Sequence, residues 1–195
     1  MINKMAVLLR GKLKASHLSE AAVVFGFLTQ NTDSEVGRRL ILELLKRPKL
    51  PDLALQNTIY AATHAEVRDA IPVMRRLLRE GCTHALDFVG RLHLEECVED
   101  VVAYMKHPKG SVLLGIFALQ KIGSPQVVPY LMHYATREFT SRKKDEREWR
   151  YYSILALNKI GDTSALQQLA KLLAQFKDWE APQLLGQDKN DEGPG

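Results

Sequence analysis

The 195-residue chain is predicted to be all-helical, an α-solenoid of about five antiparallel helix pairs. Two observations carry that prediction. Leu114-Gly-Ile-Phe-Ala-Leu-Gln-Lys-Ile-Gly123 returns 38 positions later as Tyr152-Ser-Ile-Leu-Ala-Leu-Asn-Lys-Ile-Gly161, and a period of this size marks stacked supersecondary units. Apolar residues also recur every three and four positions, and no strand-like alternation appears. With 46% hydrophobic and 26% charged residues, the balance is that of an ordinary globular chain.

The best-defined unit shows why each repeat is two helices. Val112, Ile116, Leu119 and Ile122 share one helical face. Gly123 ends that helix, because glycine takes the left-handed position without a Cβ penalty. Ser124 then suits an N-cap and Pro125 a first helical residue, its missing N–H being an orphan there anyway. A second helix follows with Val128, Leu131 and Ala135 inward. In the next unit Gly161 and Asp162 play the same stop-and-cap role, and Leu166, Leu169 and Leu173 fall opposite those three residues. The turn is so short that the two helices must pack antiparallel.

The other units are more diverged. Leu18–Leu28 and Ser34–Lys46 form a first pair, with Asp33 or Ser34 as cap. Arg68–Leu78 supplies a second helix whose Pro72 lies opposite Pro129. Proline costs an interior hydrogen bond unless it sits in the first turn, so these helices are expected to start near it, with bends. His84–Leu92 and Glu96–Met105 make another pair. Reference positions Arg39, Pro72, Glu99, Pro129 and Gln167 in the second helices are spaced 33, 27, 30 and 38. Residues 16–176 are expected to form the repeat domain, with an insertion, Arg137–Glu148, before the last pair.

The ends differ from this pattern. Residues 1–15, with Ile2, Met5, Leu9 and Leu13 on one side, read as an amphipathic helix or cap. Met1–Ser19 carries four basic residues and no acidic one, a composition that also suits an organellar targeting segment, although Arg and Ser are few. Residues 177–195 form an extension, and its last ten residues lack large apolar side chains and are expected to be disordered. Trp179, Leu184 and Leu185 are the large apolar residues of this tail. They are expected to cap the last repeat or to dock in a partner's groove.

The segments Ala118–Leu131 and Ala156–Leu169, and more weakly Ala70–Leu78, resemble HEAT-like repeats of the short bacterial type found in phycobilisome-lyase subunits. The resemblance implies a superhelix whose second helices line a concave face, and a scaffold or partner-binding role. It also raises two further readings, a base-excising nucleic-acid binder or an accessory subunit of an enzyme such as a chromophore lyase. The full aromatic-plus-carboxylate constellation of the excising class is not matched.

No catalytic or metal constellation stands out. Cys82 and Cys97 cannot make a disulfide framework or a four-cysteine zinc site. His93, Glu96 and Cys97, with His107 further off, lack the spacing zinc sites use. Cys82 follows Gly81 near a helix start, without an identifiable base, and reads as a small hydrophobe. No cofactor is expected. The longest apolar run, Ala21–Leu28, is far too short to span a bilayer, and a reduced, cytoplasmic chain is the default.

The net charge of +4 is unevenly spread: residues 1–50 carry +5, 51–110 carry −2, 111–160 carry +4 and 161–195 carry −3. Arg75, Arg76 and Arg79 stand beside inward Met74, Leu77 and Leu78. Tyr130, His133, Arg137 and Arg142 combine tyrosine and arginine, residue types that anchor interfaces. These seven are the candidate partner-binding residues. The expected function is a non-enzymatic adaptor for a protein partner with an acidic surface, with nucleic acid as the alternative.

Overall fold

In the computed structural model the described residues are 17, 18, 20–23, 35–47, 50–137 and 144–174, without the side chains of 144 and 145. Among them the secondary structure is helical throughout, with no strand. Residues 17, 18 and 20–23 are helical, and Leu18 and Ala22 are buried. They are followed by α1 (Glu35–Leu45), α2 (Asp52–His64), α3 (Ile71–Arg79), α4 (His84–Arg91), α5 (Val98–Lys106), α6 (Val112–Ile122), α7 (Val128–Thr136), α8 (Lys144–Ile160) and α9 (Thr163–Leu173). Helix α8 takes up the last residues of the insertion expected before the final pair. The helices pack in pairs, as in a HEAT-like solenoid. The chain divides into two compact units, Met1–Leu92 and His93–Gly195.

Within Met1–Leu92, α1 packs on α2, α3 on α4, and α2 on α4. The periodicity of large apolar residues does not mark α2, because its buried face is built from Ala54, Thr58, Ala61, Ala62 and Thr63 beside Ile59. Both threonines neutralise their hydroxyls locally, Thr58 donating to the Ala54 carbonyl at 2.6 Å and Thr63 to that of Ile59 at 2.8 Å. Opposite polar Arg75, Arg76 and Arg79, helix α3 buries Met74, Leu77 and Leu78, so its hydrophobic face is the expected one.

Within His93–Gly195, α5 packs on α6, α7 on α8, α6 on α8 and α7 on α9. Buried Ile116, Leu119 and Ile122 of α6 and Leu131 and Ala135 of α7 form the core with Ile154, Ala156, Leu157, Leu169 and Leu173. A Cβ at Gly115 would overlap the Met105 side chain. This notch lets α5 lie close against α6.

Second helices open with a 3₁₀ turn in three repeats: Arg68–Ala70, Glu95–Cys97 and Pro125–Val127. Each turn ends on a fully buried residue, Ala70, Cys97 or Val127. A 3₁₀ turn holds three residues, so the inward residue is Val127 rather than the expected Val128, which is half-buried. The tight turn also changes the role of Ser124. Its carbonyl accepts from Val127 N–H at 3.1 Å, while its hydroxyl caps nothing and is buried without a partner. Pro72 and Pro129 are the second residues of α3 and α7, inside the first turn, where no interior bond is lost.

The exits of the first helices are equivalent as well. Glu66, His93, Gly123 and Gly161 all have positive φ, at 49°, 51°, 68° and 74°. Their separations, 27, 30 and 38, match those of the second-helix reference positions. Counting from these exits aligns the repeats residue by residue: Thr58, Ala85, Gly115 and Ser153 occupy one buried position, and Met74, Val101, Leu131 and Leu169 another.

Candidate protein-binding surface

The arginine group lies on α3. Three- and four-residue spacing opposite a buried apolar stripe turns these side chains outward. Arg76 and Arg79 are exposed and Arg75 is half-buried. Arg76 Nε pairs with Glu80 Oε1 at 3.8 Å, one turn further on. On α1, Arg39 Nε and Glu43 Oε1 make the same kind of pair at 3.5 Å. Exposed pairs of this type contribute only about 0.3–0.5 kcal/mol each, so an incoming carboxylate displaces them at little cost.

The second group lies in the other unit. Tyr130 and His133 are on α7, and Arg137 follows its last turn. His133 and Arg137 are exposed and Tyr130 is half-exposed. The Tyr130 hydroxyl donates to Glu99 Oε1 of α5. One turn earlier, Gln126 Nε2 donates to Glu95 Oε2 at 3.5 Å. Two rungs therefore join consecutive second helices across their exposed side. The bond to Glu99, then desolvation, raises the Tyr130 phenol above the usual tyrosine value.

Aromatic contacts extend this surface to the next repeat. His133 and Tyr134 meet edge-on with centroids 5.2 Å apart, and Tyr134 meets Trp149 of α8 edge-on at 6.2 Å. Burial pushes the Tyr134 phenol up, against a smaller opposite effect of Arg137. The Arg137 carbonyl accepts a 2.7 Å bond from Arg150 Nη2, which fixes the chain where it leaves α7. Burial draws the Arg150 guanidinium down from its ordinary value.

The structure thus places Tyr130, His133 and Arg137 along one side of α7, from its first turn to its exit. It assigns Arg75, Arg76 and Arg79 to a different unit. Arg142, Trp179, Leu184 and Leu185 lie outside the described residues, as do residues 1–15. Glu95, Glu99 and Gln126 are the surface residues that sequence reasoning missed. The repeat register carries their signal, since Glu99 is the equivalent of Pro129, the neighbour of Tyr130.

Among the described residues, no three His, Cys, Asp or Glu side chains converge to hold a metal ion. Cys97 is buried, and burial is the main cause that raises the Cys82 thiol, opposed by backbone donors at Ala85 and His84. No described helix is long and apolar enough to cross a membrane.

Residues 149–175, spanning most of α8 and all of α9, match a family model described as PBS lyase HEAT-like repeat. This stretch is similar to a HEAT-like repeat. The likeness extends to the repeat and not to the lyase. No curated protein and no solved structure matches the chain.

Proposed function

We propose that this chain is a non-enzymatic adaptor that binds a protein partner through the second helices of its repeats. The observation that carries this reading is the α5–α7 surface. Glu99 holds Tyr130 in place, and His133 and Arg137 stand exposed beside it, while the opposite face of each helix is buried. A tyrosine already ordered by a neighbour loses little side-chain entropy on binding, which favours it as an anchor. In the Met1–Leu92 unit, Arg76 and Arg79 offer a partner's acidic groups two exposed guanidinium groups.

The test compares wild-type chain with Arg75→Glu/Arg76→Glu/Arg79→Glu and Tyr130→Ala/His133→Ala variants as affinity baits, with bound proteins identified by mass spectrometry. A specific partner retained by wild type and lost from either variant, with unchanged far-UV circular dichroism, supports the adaptor. The arginine-dependent part is expected to weaken as salt rises. Equal retention by all three baits sinks the reading. Salt-sensitive retardation of random duplex DNA, abolished by the arginine variant, favours nucleic-acid binding instead.

A further inference from the structure

Repeat equivalence reveals an uncovered edge in the His93–Gly195 unit. Ala65, Leu92 and Ile122 occupy the last position before each first-helix exit, and all three are buried. Ile160 holds the same position in the last repeat and is only half-buried. Leu77 and Tyr104 are likewise buried, while Leu172 is half-exposed, as is their remaining equivalent Tyr134. This stretch of the second helix faces the following repeat. Tyr134, another equivalent of Leu172, meets Trp149 of the next first helix, and Met105, one residue beyond Tyr104, fills the notch at Gly115. Among the described residues no repeat follows α9.

We infer that this edge, Ile160 and Leu172, is covered by the chain's own carboxy-terminal segment, with Trp179, Leu184 and Leu185 as the contacting side chains. Three features of the chain select this occupant over a second copy. Trp179 follows Ala174 by five residues, a reach of up to about 17 Å when extended. Trp179, Leu184 and Leu185 are the only large apolar residues after Phe176, and the last ten residues of the chain have none. A tethered segment also meets the edge at a millimolar-scale effective concentration, which a separate copy reaches only at comparable protein concentration. The residue before a proline is biased away from the helical region, and Ala181 precedes Pro182, which favours a turn back along α9. The apolar edge of a repeat in a solenoid needs such a cover. The inference is independent of the adaptor reading.

Trp149 and Trp179 are the only tryptophans, so fluorescence isolates the segment. In Trp149→Phe, Trp179 emission is expected to lie to the blue of the urea-unfolded chain and to be shielded from iodide. Adding Leu172→Asp is expected to abolish both effects while far-UV circular dichroism is retained. Leu172→Gln replaces it if helicity falls. If Trp149→Phe itself fails to fold, the wild-type minus Trp179→Ala difference spectrum gives the same readout. Emission equal to that of the unfolded chain overturns the inference. So does a blue shift that survives every Leu172 substitution. A shift that disappears on dilution, in step with loss of a dimer by light scattering, assigns the cover to a second copy and also overturns it.

Discussion

Ser153 is a polar residue in an apolar slot. Its hydroxyl is buried and has no hydrogen-bond partner. Its equivalents are Ala85, Gly115 and Thr58, and only Thr58 satisfies its hydroxyl, on the Ala54 carbonyl. An unpaired buried hydroxyl costs about 1–3 kcal/mol, and alanine is accepted at this position in another repeat. Ser153→Ala is therefore expected to stabilise the chain by about 1 kcal/mol, read as a higher urea midpoint at unchanged slope. A lower midpoint would mean that the hydroxyl has a role the geometry does not reveal. A second residue-scale consequence concerns Tyr130. Its phenol is raised mainly by the Glu99 hydrogen bond. A raised acid favours the protonated form in the folded state, so the contribution is intact below the ordinary tyrosine value and is lost as pH rises through the folded one. Glu99→Gln is expected to bring the Tyr130 titration down, measured as the tyrosinate absorbance difference against Tyr130→Phe. No change would show that the bond does not persist in solution.

The exits of the first helices explain both what is legible in the sequence and what is not. Gly123 and Gly161 announce their left-handed conformation, and the helix ends there follow from residue type alone. Glu66 and His93 adopt the same conformation without a residue that signals it, and only the register of better-marked repeats locates them. At the end of α2 the geometry is held by bonds from Glu66 N–H to the Thr63 carbonyl at 3.3 Å and from Val67 N–H to that of Ala62 at 2.9 Å. The left-handed region costs an L-residue about 1–2 kcal/mol, and glycine loses part of that gain through the entropy of the unfolded chain. His93→Gly is expected to stabilise by about 0.5–1 kcal/mol, and Gly123→Ala to destabilise by about 1 kcal/mol, both read by chemical denaturation. The opposite sign at His93 would show that its side chain makes a compensating contact. Helix α2 was illegible for a different reason, because small residues build its buried face. The Glu95–Gln126 and Glu99–Tyr130 rungs each join residues 31 apart, beyond the reach of any single-helix pattern. Packing between helices allows one more test. Gly115→Leu is expected to cost about 1–3 kcal/mol by forcing Met105 aside, and Met105→Ala is expected to restore part of it. Strict additivity would mean that the notch does not define the α5–α6 approach.

For the whole molecule, each compact unit can be read alone. The His93–Gly195 unit contains its own core of Leu94, Val101, Tyr104, Ile116, Leu119, Leu131, Ile154, Leu157 and Leu169. Residues 93–195 expressed alone are expected to give a helical far-UV spectrum and a cooperative thermal transition. A non-cooperative melt would show that this core depends on the rest of the chain. Glu66, His93, Gly123 and Gly161 each stand four residues before a buried second-helix residue, Ala70, Cys97, Val127 or Ala165. The turn within each helix pair is thus of fixed length, and the spacings of 27, 30 and 38 differ in the connections between pairs and in the first helices, which run from eight residues in α4 to 17 in α8. Such a chain has places that accept foreign residues and places that reject them. A single alanine added after Ser124 would rotate the second helix by about 100° against its partner, carrying Val127 and Leu131 out of the core, and is expected to lower the melting temperature sharply. The same alanine, or an entire epitope tag, added between residues 140 and 141 is expected to leave melting nearly unchanged, which makes that connection the natural port for labels and fused domains.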